Sequence, residues 1–71
     1  MDLAALRPLF GQNVLAAADK EFVGTLEPIS GSQDAVTLKP LDAATANNYT
    51  FAINGVTVLS VSAITFIQKL T

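Results

Sequence analysis

The chain has 71 residues, of which 51% are hydrophobic and 14% are charged, and its formal net charge is -2. This length fits a single domain spanning residues 1–71. Because cysteine and histidine are both absent, the chain lacks disulfides, thiolate nucleophiles, the commonest metal ligand and the usual general base. The acidic balance argues against a strong, sequence-independent grip on a phosphate backbone, which requires clustered lysine and arginine.

The first ten residues carry the pattern of a short helix. Asp2 is a suitable N-cap, and leucines recur at positions 3, 6 and 9, a spacing that places apolar side chains on one helical face. Pro8 lacks a backbone donor, so the last turn is expected to be kinked or 3₁₀. Gly11 then ends the helix. We expect this helix to cover one side of a β-structure.

The rest of the chain has the short, alternating apolar pattern of β-strands. The first two strands are predicted at residues 14–18 and 21–29, with Leu26 and Val23 on opposite faces of the second. Residues 36–39 form the next strand, and residues 40–48 a longer connection. Asn54-Gly55 predicts a hairpin turn between strands at residues 49–53 and 56–61, and a last strand covers residues 65–70. One helix and five or six strands indicate an all-β fold, a small bent barrel.

A membrane span is a less suitable interpretation of the C-terminal half. Residues 43–68 carry no charge, which approaches the length of a spanning helix. Their asparagines oppose a membrane helix, and their β-branched residues favour strands. No basic residue precedes the first apolar stretch, as it would in a secretory signal. We therefore expect a cytoplasmic protein with no membrane contact.

The polar residues do not form a pattern typical of an enzyme. Ser60 and Ser62 have no histidine to activate them. Asp19 and Glu21 have no third carboxylate nearby in the sequence with which to hold a metal ion. We predict a protein that is not an enzyme and that has no catalytic residues, no metal site and no cofactor.

The size and composition of the chain favour self-association. A domain this short buries only about 60% of the surface that its unfolded chain exposes. With half of the residues apolar and few charged, apolar side chains remain on the surface of a single copy, and contact with further copies would cover them.

Two segments carry a resemblance to a known family. Residues 18–26 read ADKEFVGTL and residues 59–67 read LSVSAITFI. They resemble the two signatures of the Sm and Sm-like (LSm) proteins, which belong to the SH3-like small barrels. The first signature is a turn that leads into a curved strand, and the second is an apolar strand, a one-turn crossing and Ile-x-x-Ile. The resemblance implies that Gly24 permits the curvature of the second strand.

The resemblance also implies a ring. In Sm-like rings the fourth strand of one subunit pairs with the fifth strand of its neighbour, so we expect a closed homo-oligomer of five to seven subunits. The residues expected at these strand edges are Val56, Val58, Leu59, Ser60, Thr65, Phe66 and Ile67.

The family's RNA pocket is largely missing from this chain. In RNA-binding members an asparagine follows the second strand, beside a side chain that stacks on the base, and an Arg-Gly pair completes the pocket. Here the equivalent positions hold Asp34 or Ala35 and then Ser60-Val61, which cannot stack on a base. Ser62 offers a hydroxyl nearby. The leading hypothesis is a ring-forming Sm-like protein that binds RNA weakly, and the alternative is a structural or interaction ring that has lost nucleic-acid binding.

Overall fold

A computed structural model describes residues 1–70. A short helix, α1 (Leu3–Leu6), continues as a 3₁₀ turn (Arg7–Leu9), and a second short helix, α2 (Ala43–Ala46), lies in the second half of the chain. The strands are β1 (Asn13–Ala17), β2 (Glu21–Pro28), β3 (Ala35–Lys39), β4 (Thr57–Ser60) and β5 (Phe66–Lys69). A second 3₁₀ turn (Val61–Ala63) connects β4 to β5.

The N-terminal helix forms as the sequence predicts. The Asp2 side chain caps α1 by accepting a hydrogen bond from the Ala5 amide at 3.0 Å. Pro8 lies at the start of the 3₁₀ turn that follows. Proline has no backbone N–H, and at this position the turn does not need one as a hydrogen-bond donor. Gly11 adopts a φ of 81°, and its amide donates to the Leu26 carbonyl at 2.7 Å. This contact joins the end of the helical segment to β2 and holds Leu6 against the sheet.

The five strands form one antiparallel sheet in the order β4-β3-β2-β1-β5. The prediction of a mostly-β fold with a short N-terminal helix is therefore confirmed, although the sheet is not closed. Its two edge strands, β4 and β5, are consecutive in the chain and only five residues separate them. In a flat sheet they would lie about 19 Å apart, at roughly 4.8 Å per strand spacing. A connection containing a 3₁₀ turn is too compact for that distance, so the sheet curls toward a barrel.

The core follows from the alternation of the strands. Val14 and Ala16 of β1 and Val36 and Leu38 of β3 are fully buried, while their neighbours along each strand are more exposed. The full cluster also receives side chains from α1 and from the crossing between β4 and β5, and its buried members are Leu6, Val14, Ala16, Leu26, Val36, Leu38, Leu59, Val61 and Ile64. Among the described residues, no polar or charged residue is buried. Apolar burial and backbone hydrogen bonds therefore stabilise this fold.

Gly24 lies in β2 close to the end of β3. A Cβ atom at this position would lie 2.7 Å from the Lys39 carbonyl oxygen and 3.4 Å from Cβ of Leu38. A contact of 2.7 Å with a backbone oxygen requires the backbone to move. Glycine fits this position because it has no side chain to place between the two strands.

The predicted hairpin around Asn54-Gly55 is wrong. Residues 49–53 form no strand, and β4 pairs with β3 instead, with Val36 opposite Leu59. Gly55 does not adopt the positive φ that a type I′ turn would need. In this pairing Leu59 belongs to the core, so tertiary packing outweighs the turn propensity of the dipeptide.

The segment before β4 contacts β2 in place of forming a strand. The Val23 amide donates to the Phe51 carbonyl at 2.8 Å, and the Ile53 amide donates to the Val23 carbonyl at 3.3 Å. These bonds form a single parallel bridge between Val23 and Ala52. They give the backbone of β2 hydrogen-bond partners at Val23, which lies beyond the residues that pair with β3.

The connection after β3 contains a capped helix that the sequence prediction missed. The Asp42 carboxylate accepts hydrogen bonds from the Thr45 hydroxyl at 2.7 Å and from the Thr45 amide at 3.2 Å. The bond from the Thr45 side chain, followed by that from its backbone, lowers the pKa of Asp42 below its usual value.

Acidification should therefore release this cap. Because the pKa of Asp42 is lowered in the folded chain, the stabilising contribution of the cap is fully present above the ordinary aspartate pKa and is lost as the pH falls through the lowered value. We expect the Thr45 amide resonance to shift in that acid range in an NMR titration. In Asp42→Asn, which keeps an uncharged acceptor, the shift should vanish; a midpoint at the ordinary aspartate pKa would contradict the cap.

Candidate functional site

The structure brings together the positions that the family resemblance assigns to a nucleic-acid pocket. Ala35, the first residue of β3, lies opposite Ser60 at the end of β4. The Val61 amide donates to the Asp34 carbonyl at 2.7 Å. The hydroxyl oxygens of Ser60 and Ser62 are 3.0 Å apart. The β2–β3 loop and the β4–β5 crossing therefore meet at one end of the sheet.

A concavity of about 270 Å³ lies at this end, lined by residues 1–3, 33–34 and 61–62. Its walls combine apolar side chains with two carboxylates, those of Asp2 and Asp34, and the polar side chains of Gln33 and Ser62. Ala35 and Ser60 lie next to it rather than in its lining. No aromatic ring and no guanidinium group is among these lining residues, so the concavity has no group on which a base could stack.

The electrostatics of the concavity oppose nucleic acid. The two aspartates add negative charge where phosphates would approach, and the chain as a whole carries a net charge of -2. No lining side chain is basic. The Met1 amino group is a positive charge beside these two carboxylates, so the concavity can accept hydrogen bonds and contact a small apolar group, but its balance of charge is negative.

The N-terminal residues belong to this site, and the sequence interpretation did not include them. Met1 contacts the crossing between β4 and β5, because its amino group donates to the Ile64 carbonyl at 3.2 Å. Asp2 and Leu3 follow it into the lining of the concavity. The sequence of residues 1–3 contains no pattern that predicts this contact, because the contact depends on how α1 packs across the folded sheet.

The second candidate surface consists of the two sheet edges. Val58 of β4 is 62% exposed, Val56 just before β4 is 64% exposed, and Phe66 of β5 is 51% exposed. β4 carries no charged residue, and the only one in β5 is Lys69. Apolar strands at a sheet edge offer free backbone groups together with side chains that avoid water.

The other residues predicted at the edges differ in their exposure. Leu59 is 7% exposed and belongs to the core, so it can offer only backbone groups to a neighbour. Ile67 is half-buried and packs against the core. Ser60 and Thr65 are exposed, although the amide of Thr65 donates to the Ala17 carbonyl at 2.8 Å.

Comparisons with protein-family descriptions, with curated proteins and with solved structures gave no match to this chain. Within residues 1–70, no helix has the length and apolar character that crossing a membrane requires. Over the same residues, no group of three or more acidic side chains is placed to hold a metal ion.

Proposed function

We propose that this protein is a self-assembling interaction module in which the β4 edge of one copy pairs with the β5 edge of the next. The observation that carries the proposal is that each edge strand pairs on one side only and exposes an apolar side chain, Val58 on β4 and Phe66 on β5. Such edges promote uncontrolled pairing unless something covers them. Pairing between copies would cover both edges of every subunit.

The geometry of the edges favours a closed assembly. Pairing of two different edges is heterologous, and it generates a ring when the rotation between copies closes. Three features agree with the resemblance to Sm and Sm-like proteins: the strand order, the 3₁₀ crossing between β4 and β5, and the close approach at Gly24. The proposed number of five to seven subunits follows from that resemblance.

Amide hydrogen exchange tests the proposal on the unmodified chain. In a monomer, the outward-facing amides of both edge strands exchange rapidly because they bond only to water. We expect slow exchange at the outward amides of both β4 and β5. Protection of only one of the two edges would indicate a two-fold dimer and would contradict the heterologous arrangement, and rapid exchange at both would contradict assembly.

RNA is the second candidate, supported by the resemblance and by the proximity of the residues it implicates: Ala35 lies opposite Ser60, and the Val61 amide donates to the Asp34 carbonyl. The chemistry at these positions makes binding weak, since two carboxylates line the concavity beside them and no side chain there can stack on a base. Assembly would concentrate the negative charge of the copies further. The main function of the module would therefore be protein interaction, and RNA binding would be secondary.

Fluorescence anisotropy with labelled U-rich and A-rich oligonucleotides should show this weakness. We expect binding no tighter than roughly micromolar at physiological salt, the range of non-specific contact. Asp34→Asn, which removes one carboxylate and keeps the shape of the side chain, should change the affinity only modestly. Saturable binding at nanomolar protein would show that the chain recognises RNA through groups other than these.

A further inference from the structure

The dipeptide Asn54-Gly55 forms an exposed bend rather than the hairpin turn that its sequence predicts. Both residues are exposed, and the neighbouring Val56 is exposed as well. A Cβ atom added at Gly55 would meet nothing within 4 Å. Among the hydrogen bonds of residues 1–70, none involves the Asn54 side chain or the Gly55 amide. The asparagine amide and the following backbone nitrogen are therefore free to move toward each other.

We propose that Asn54 is a site of spontaneous deamidation. The Gly55 nitrogen loses its proton to solvent base and attacks Cγ of Asn54, a carbon–nitrogen bond forms, and ammonia leaves. Water then opens the resulting five-membered succinimide at either carbonyl and yields aspartate or isoaspartate. The net change consumes one water and releases one ammonia, with no oxidation or reduction.

The other asparagines in the chain are matched internal controls. Asn13 lies in β1, where its side-chain oxygen accepts a hydrogen bond from the Thr25 hydroxyl at 2.9 Å, and the bulky Val14 follows it. Asn47 and Asn48 follow α2 and precede residues with side chains. A side chain beside the attacking nitrogen obstructs the cyclisation, and glycine has none.

The position of Asn54 makes the modification consequential. The Ile53 amide is bonded to the Val23 carbonyl, and β4 begins at Thr57, so only residues 54–56 connect two fixed points. Isoaspartate adds a carbon to the main chain of this short connection, and both products add a negative charge beside Val56. The effect on assembly rests on the proposed pairing of β4 with β5.

Mass spectrometry of the folded wild-type chain, aged at mildly alkaline pH, tests the modification itself. We expect replacement of NH₂ by OH at Asn54, localised by fragmentation, while Asn13, Asn47 and Asn48 remain amides. Gly55→Ala, which the open space around Gly55 accommodates, should reduce conversion several-fold. Conversion at the other asparagines first, or equal rates in Gly55→Ala, would overturn the proposal.

A second measurement tests the consequence for assembly. Asn54→Asp should lower the assembled fraction seen by light scattering, relative to Asn48→Asp, which adds the same charge next to α2. Equal assembled fractions in the two variants would overturn the coupling to assembly. A monomeric wild type would instead contradict the proposed function, and conversion at Asn54 would still be measurable in that monomer.

Discussion

Replacing Gly24 by valine is expected to lower the free energy of unfolding by about 1–3 kcal/mol. A Cβ at this position already meets the Lys39 carbonyl oxygen at 2.7 Å and the Ile53 side chain at 3.3 Å. A branched side chain would enlarge the conflict, so β2 and β3 would have to separate or the Ile53 side chain would have to move. For a domain of this size the melting temperature should fall by roughly 4–8 °C per kcal/mol.

Gly55→Val is the matched control for this prediction. The same substitution there adds a side chain to open space, and the backbone of Gly55 is outside the left-handed region that favours glycine. We expect its melting temperature to remain close to that of the wild type in calorimetry. Equal melting temperatures for Gly24→Val and the wild type would show that the approach of β2 to β3 does not require a glycine.

Val58→Arg is expected to dissociate the assembly while leaving the subunit folded. Val58 is 62% exposed, so a charged side chain can reach water in the free subunit. In the proposed pairing the same side chain lies at the edge that meets β5 of a neighbour. Arginine there would place a charge on each copy at a surface that assembly removes from water. Light scattering should report the mass of one chain, with an unchanged far-ultraviolet circular dichroism spectrum.

Two further variants separate assembly from folding. Ala44→Arg adds the same charge at an exposed position of α2, which is not one of the strands, and should leave the assembly intact. Ile67→Arg should also lower the stability of the subunit, because Ile67 packs against the core. If Val58→Arg retained the full particle mass, β4 would not be the contact between copies.

Local patterns predict those parts of the fold whose causes are local. Asp2, Pro8 and Gly11 each fix a few backbone angles or hydrogen bonds nearby, and the structure has the helix and its end where they indicate. The alternation of β3 likewise identifies its buried residues, Val36 and Leu38, because the period of a strand depends only on its own backbone.

The errors occur where distant residues decide the outcome. Asn54-Gly55 has the strongest hairpin propensity in the chain, yet residues 49–53 form no strand and β4 pairs with β3, where Leu59 lies opposite Val36 and is buried. Val23 is buried although it does not belong to the core cluster that contains Leu26, because residues 51–53 lie against β2 at Val23. The helix α2 has only one turn, which is too short for a periodic pattern.

The candidate site likewise has some features that the sequence predicts and others that depend on tertiary packing. The predicted positions on the β2–β3 loop and on the β4–β5 crossing meet as the order of strands requires, and the residue types there already indicated a poor base pocket. The contribution of Met1, Asp2 and Leu3 depends on how α1 packs across the sheet, which no short segment of the sequence encodes.

The particle mass of the unmodified chain tests the central claim most directly. Multi-angle light scattering across a dilution series should report one species of five to seven chain masses that persists at micromolar concentration, because a closed ring leaves no free edge. A steady increase of mass with concentration would indicate open polymerisation and contradict closure. A stable monomer at micromolar concentration would contradict the pairing of β4 with β5 altogether.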